Sequence, residues 1–148
     1  MKIKITKYEN FVKAPNRAHD NDSGADVYAT DTFTIAPFQT VAHPLGFGVE
    51  IPDGYDVVLY CKSGLSKKGI FVLNPPVDAG YKTVTDQEGR IVEKAEIHAI
   101  LFNSTDKPYT FNKGDKVAQL VVRPVIYADF VEARSENRNG GAFGSTGV

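Results

Sequence analysis

The strongest constraint in this chain is its rhythm of short β-prone runs broken by turn sequences, with no long, capped helical stripe anywhere. Apolar alternation of period two appears at residues 2–7, through Ile3 and Ile5. Runs rich in β-branched and aromatic residues recur at 47–51, 55–60, 97–102 and 117–122. Between and beside them stand Pro52-Asp53-Gly54, Asn74-Pro75-Pro76, Gln87-Glu88-Gly89 and Asn112-Lys113-Gly114-Asp115, whose residue types fix tight turns. Residues 66–68 are suited to a short turn of helix. The pattern predicts an all-β fold of the sandwich or barrel kind. Residues 81–96, YKTVTDQEGRIVEKAE, read as a long exposed hairpin with its tip at 86–89.

There is no internal repeat and no dividing linker, and 148 residues suit one domain. Only from about Glu132 does the composition turn polar and glycine-rich, so the expected organisation is a barrel over 1–131 and a flexible arm over 132–148. That arm contains GGAFGSTGV, residues 140–148. Such a stretch buries too little apolar surface to offset the entropy of ordering it, so its one large ring, Phe143, points to a ligand. The glycines let backbone N–H groups approach an anion, and Ser145 and Thr146 add hydroxyls. A frayed terminus is the plainer alternative.

Net charge −1 and a sequence pI near 6.3 argue against a nucleic-acid surface held by a general basic field. An anionic ligand would need a local cluster, either Lys62 with Lys67 and Lys68 or Arg134 with Arg138. The single cysteine, Cys61, rules out an internal disulfide and a multi-cysteine metal site, and makes a reducing, cytoplasmic home the expectation. The opening MKIKITKYEN has lysines between its apolar residues, so neither a leader peptide nor a membrane span is expected.

Five segments carry polar groups in places where chemistry can use them. In DSGADVYAT, 22–30, Gly24 permits a tight bend and Asp26 sets a carboxylate at the start of a strand. That carboxylate suits either a hydrated metal ion or a capping bond. In CKSGLSKKG, 61–69, Ser63 and Gly64 sit between a strand and a turn with lysines close by, which is either a small phosphate site or an ordinary junction. In PPVDAGY, 75–81, Asp78 stands on a stiff turn, as a general base for water or as a simple turn residue. In GDKVAQLVV, 114–122, Gln119 is the one polar side chain inside an apolar run, either on a solvent face or reaching into a site. In the arm, the Arg138 guanidinium matches phosphate oxygens bidentately.

Taken in order, SGADVYA, KSGL, VDAGY, GDKVAQL and RNGGAFGSTG resemble the five motifs of the trimeric deoxyuridine triphosphatases, the dUTPases, over nearly the whole chain. The resemblance implies a jelly-roll-like subunit of a homotrimer that hydrolyses dUTP to dUMP and pyrophosphate with Mg²⁺. It implies that Asp78 activates the attacking water and that Tyr81 packs under the deoxyribose, excluding a 2′-hydroxyl. Backbone groups around 77–83, with Val77 and Lys82 among them, would read the uracil. Lys62, Ser63, Gly64 and Gln119 fall on phosphate-site positions, Gln119 also steadying the water, and Asp26 falls on the carboxylate associated with hydrated Mg²⁺. Arg138, Gly144, Ser145 and Thr146 would hold the outer phosphates while Phe143 stacks on the base.

The sequence also departs from the family pattern. Cys61-Lys62 stands where Pro-Arg is common, which replaces a planar fork by a point charge. Residues 67–69 are about one residue tighter than usual, and the loop before Asp78 is short and has no glycine. Asn139 and Ala142 stand where glycines are usual. The hairpin at 82–95 is longer than typical and is read as an added surface for a partner protein or for subunit contact. Two rival readings share the scaffold: a dCTP deaminase relative, against which the Phe-bearing arm weighs, and a non-catalytic nucleotide or protein binder.

Overall fold

The computed structural model describes residues 1–134. In chain order its elements are β1 (Lys4–Lys7), β2 (Ala25–Tyr28), β3 (Phe33–Ile35), β4 (Thr40–Pro44), β5 (Phe47–Glu50), β6 (Tyr55–Tyr60), α1 (Ser63–Lys67), β7 (Ile70–Val72), β8 (Val84–Thr85), β9 (Ile91–Glu93), β10 (His98–Asn103), β11 (Tyr109–Phe111) and β12 (Lys116–Pro124). The all-β expectation holds, with α1 as the only helix among the described residues. It starts earlier than the turn expected at 66–68, because the Lys62 carbonyl accepts from the N–H groups of both Leu65 and Ser66.

Every strand pair is antiparallel. β12 lies between β2 and β6, β10 lies between β4 and β7, and β1–β5, β3–β11 and β8–β9 are two-stranded ribbons. The strands are short because the turns cut them. Gly54 and Gly114 take φ of +86° and +88° in the Pro52–Tyr55 and Asn112–Asp115 turns, a conformation open to glycine without a Cβ clash. Asp115 also accepts the Asn112 N–H at 2.8 Å, which closes the second turn on itself.

One apolar cluster takes side chains from the inner faces of all the sheets except the exposed β8–β9 ribbon. Phe47, Phe111, Ile35, Leu45, Ile70, Ile97 and Leu101 are its largest fully buried members. β10 shows the period of two plainly: Ala99, Leu101 and Asn103 point inward. Asn103 is a fully buried amide whose Nδ2 donates to the Ile35 and Lys107 carbonyls, while its Oδ1 accepts from Thr105. That satisfaction is what lets a polar residue sit in the core. β6 departs from alternation, since Asp56 to Leu59 are all buried. β12 covers one edge of this strand, and Val77 covers the other through a two-way bridge with Val57.

The hairpin expected at 81–96 is present as β8 and β9 around a turn at 86–89. Asp86 ties the tip by accepting from Glu88 N–H, Arg90 N–H and the Arg90 side chain. At the base, the Tyr8 hydroxyl bonds Thr83 Oγ1 and accepts the Ala95 N–H at 3.1 Å, and Lys94 lies over the Tyr8 ring. No helix among the described residues is long and apolar enough to cross a membrane.

Candidate active site

The structure gathers the sequence-predicted residues into two separate groups. The first lies on the β2–β12–β6 sheet. Gln119 is paired with Asp26 on one side and with Tyr60 on the other, so it stands at the centre of the sheet. Its Nε2 donates to the Cys61 carbonyl at 2.9 Å, and its side chain lies against Gly24. A Cβ on Gly24 would overlap Gln119 Oε1 and come within 2.9 Å of Gln119 Cβ and Cδ. Gly24 has no positive φ, so this close approach, more than the bend expected from the sequence, is what demands glycine there. Of the two roles left open for Gln119, an idle solvent-facing amide is therefore disfavoured.

Asp26 is buried, with its side chain 9% exposed, and is held by two cations. Lys62 reaches it from the start of α1, across the intervening strand β12, and bonds Oδ1. The Lys116 ammonium stands 3.0 Å from Oδ2. Burial pushes the Asp26 pKa up, and the bonds from Lys62 and Lys116 outweigh it, so the carboxyl ends below its ordinary value and stays ionised. Lys116 is raised by the same bond. Two ammonium groups against one carboxylate leave the corner with net positive charge, a local anion site in a chain of net charge −1.

Lys116 is the residue that the sequence reading missed. In a regular strand it would face away from Gln119, three positions on. A bulge between Lys116 and Ala118 adds a residue to β12 and turns Lys116 to the face that carries Asp26 and Gln119. The signal lay in Val117-Ala118, two consecutive apolar residues that are both fully buried. Ser63 and Gly64 open α1 beside this corner and are exposed, and no side chain caps the helix start. First-turn N–H groups have no partner within a helix.

The second group lines a cavity of about 290 Å³ with Asn74, Pro75, Val77, Asp78, Tyr81 and His98 among its walls. Asp78 is exposed and follows the Val57–Val77 bridge directly, and its carbonyl accepts the Tyr81 N–H at 3.0 Å. Tyr81 is held from its far end, its hydroxyl donating to the Glu96 carbonyl at 3.0 Å. His98 Nδ1 bonds the same carbonyl at 3.1 Å, and a carbonyl can only accept, so Nδ1 carries the proton. The Val77 N–H and C=O are both engaged with Val57, which leaves its side chain as its main face to the cavity.

Lys82 is not in this cavity. It lines a separate groove of about 550 Å³ with Lys2, Lys4 and Asp53, between β1 and the hairpin. Among the described residues the two groups share no side-chain hydrogen bond, ion pair or cavity wall. Val57, beside Val77, and Lys62 are five residues apart along β6 and its end, roughly 16 Å at strand rise. Arg138, Phe143, Gly144, Ser145 and Thr146 lie outside the described residues.

The Mg²⁺ expectation can be tested on the donors present. No cluster of three or more His, Cys, Asp or Glu side chains suited to a metal occurs among the described residues. Mg²⁺ keeps several waters and is often held by one carboxylate together with substrate phosphates. Asp26 fits that mode. Each of its oxygens accepts one lysine bond and keeps a further lone pair for a metal-bound water.

Short antiparallel strands around one apolar core define a scaffold of the jelly-roll kind, and it carries a cationic corner with a buried carboxylate and an acid-bearing cleft. The family model for dUTPase matches residues 10–147, and the chain belongs to the dUTPase family. Similar proteins include the deoxyuridine 5′-triphosphate nucleotidohydrolases of Clostridium tetani, 36% identical over 99% of this chain and 96% of that one, and of Hydrogenobaculum, 35% identical over 100% and 99%. Among solved structures, a dUTPase of Staphylococcus phage 80alpha superposes with TM-score 0.77 over 98% of both chains at 20% identity. A dUTPase of phage phi11 of S. aureus, described with a structural Mg(II) ion, superposes with TM-score 0.75 over 93% of this chain and 100% of that one at 21% identity.

Proposed function

We propose that this protein hydrolyses dUTP to dUMP and pyrophosphate, with Asp78 as general base. The observation that carries the mechanism is the pairing of an exposed carboxylate at the mouth of a cleft with a separate cationic corner built on Asp26, Lys62 and Lys116. In the step, water oxygen forms a bond to the α-phosphorus, the bond from that phosphorus to the α,β-bridging oxygen breaks, pyrophosphate leaves, and the proton of water passes to Asp78. Tyr81, pinned through its hydroxyl, presents a fixed ring to the sugar, and a 2′-hydroxyl would meet it. The open N–H groups at Ser63 and Gly64 and the ammonium of Lys62 take phosphate oxygens, so that Lys62 acts as a point charge in place of a guanidinium fork. Gln119, braced by Cys61 and Gly24, steadies the water or the α-phosphate. Asp26 would hold Mg²⁺ through water, and the ion would offset part of the phosphate charge.

The reading includes assembly as a homotrimer. Val57, beside the cleft, and Lys62, at the cationic corner, are five residues apart along β6 and its end, and in this reading a site that uses both groups is completed by a second copy. Residues 125–134 follow β12 with Ile126 92%, Phe130 97% and Val131 86% exposed, apolar surface of the kind that assembly covers. The arm, with Arg138, Phe143, Gly144, Ser145 and Thr146, is assigned the closing of the site over base and outer phosphates. Lys82 and the hairpin at 82–95 are assigned an outward surface for another protein or subunit. A cytoplasmic home, resting on the single cysteine, completes the proposal.

The experiment is pyrophosphate release measured across dUTP, dCTP, dTTP and UTP with and without Mg²⁺. Turnover of dUTP alone, dependent on Mg²⁺, is expected. Ammonia release from dCTP, or dUTP bound without turnover, would replace the proposal with a deaminase or a binder.

A further inference from the structure

We infer that Lys116 is a positioning residue for Lys62, holding the second oxygen of the Asp26 carboxylate so that Lys62 can turn to a phosphate without leaving a buried charge unpaired; the inference rests on the reading of this corner as the phosphate site. Lys62 faces two demands. In the structure its ammonium bonds Asp26 Oδ1, and in the proposed reaction the same ammonium takes phosphate oxygens. A guanidinium could meet both demands through separate N–H groups in fixed directions. An ammonium is one compact charge on a flexible stem.

Asp26 cannot ease the conflict by moving. Its side chain is 9% exposed, and its backbone N–H and carbonyl are both bonded to Asn16, at 2.8 and 3.1 Å. Breaking a buried ion pair by taking away one partner is strongly unfavourable, because the other charge stays buried without compensation. With Lys62 as its sole cation, the carboxylate would therefore hold that lysine back from a ligand.

Lys116 relieves the hold. Its ammonium stands 3.0 Å from Oδ2, so each oxygen of Asp26 has a cation of its own. The backbone of Lys116 is placed from both sides. Just before it, the Asp115 carbonyl accepts the Ala29 N–H and the Gly114 N–H donates to the Ala29 carbonyl, both at 2.8 Å. Just after it, the bulge turns its side chain to the face of Asp26. The two cations come from different elements, and that decides which one turns. Lys62 precedes Ser63 and Gly64, the exposed residues that open α1, whereas Lys116 is fixed on β12.

The test uses the full chain and measures binding of a non-hydrolysable dUTP analogue and of deoxyuridine without Mg²⁺, so that Asp26 does not enter through the metal. Thermal midpoints and dUTP turnover with Mg²⁺ accompany it. Lys116→Gln keeps a donor for Asp26 but removes the charge, and Lys116→Arg keeps both. Analogue affinity should fall roughly tenfold in Lys116→Gln and stay within about threefold in Lys116→Arg, with deoxyuridine affinity unchanged in both. In an Asp26→Asn background Lys116→Gln should cost less than about twofold, because Lys62 then has no carboxylate to leave. That comparison carries no buried unpaired carboxylate, so it stands even where the single Gln variant fails to fold. Unchanged analogue affinity in folded Lys116→Gln, a lowered thermal midpoint with affinity intact, or a loss shared by deoxyuridine would overturn the inference. So would the tenfold loss repeated in the Asp26→Asn background, which would make Lys116 a direct phosphate contact. All of these leave dUTP hydrolysis standing. Absence of analogue binding and of dUTP turnover in the unaltered protein would overturn the reading of the corner itself.

Discussion

At the residue scale the buried ionisable groups set how stability responds to pH. His43 is buried, and its Nε2 accepts the Thr30 N–H at 2.9 Å while Phe33 stacks on its ring at 3.9 Å. Burial is the main cause that pushes its pKa below the ordinary value, against the pull of Asp31. A depressed histidine stabilises the fold fully above the unfolded value of about 6.5, and that contribution is lost as pH falls below it towards the folded value. Thermal midpoints should accordingly be flat between pH 7 and 8 and fall between pH 6.5 and 5, with a shallower slope in His43→Gln. Asp26 is also depressed, so its contribution persists well below this window, above the ordinary carboxylate value of about 3.9. Asp26→Asn leaves Lys62 and Lys116 without a counter-charge, and Mg²⁺-dependent turnover should fall at least tenfold at pH 7.5 with the fold retained.

Gly24 belongs to this scale too. A methyl group there displaces Gln119, so Gly24→Ala should lower dUTP turnover by one to two orders of magnitude and stability by roughly 1–3 kcal/mol, measured by assay and by urea unfolding. Asp26, Ser63, Asp78 and Gln119 were legible as candidate site residues because each stands in a motif whose order along the chain carries the family resemblance. Lys116 was not. It is turned to the candidate site by a bulge, so it does not show in residue type or period.

At the scale of elements the sequence was readable where a strand is long or closed by a strong turn. The run at 55–60 matches β6 residue for residue, because it lies between the turn at Gly54 and the break at Lys62. By contrast β3, β4, β7 and β11 are three to five residues long, and their pairings are made far along the chain, as with Thr34 opposite Thr110. Strands that short carry too few alternations to declare themselves. The hairpin was readable from its turn, but its anchoring was not, since Tyr8 lies far away in sequence. Tyr8→Phe should cost about 1–3 kcal/mol in urea unfolding by leaving the Ala95 N–H and Thr83 hydroxyl without their partner. Deleting 85–92 with a two-residue turn in their place should change stability little, because the tip is satisfied by its own Asp86 and Arg90.

At the scale of the whole molecule the proposed site draws on two separate groups of residues. If the cleft of one copy serves the cationic corner of another, two inactive variants repair each other. Asp78→Asn and Gln119→Ala, each close to silent alone, should recover a measurable fraction of dUTP turnover when unfolded together and refolded as mixed assemblies. Mixing the two after separate refolding should restore nothing until subunits exchange. Recovery that fails in stably mixed assemblies would mean that each chain works alone.

The span along β6 between the two halves has a genetic corollary. If copies complete one another's sites as proposed, a cell carrying one sound and one defective copy of the gene would not simply make half as much enzyme; it would make a population of hybrids, in which a fault in either half silences only those sites where it happens to be seated. The dosage curve would then depend on which half is damaged and on how quickly chains trade places.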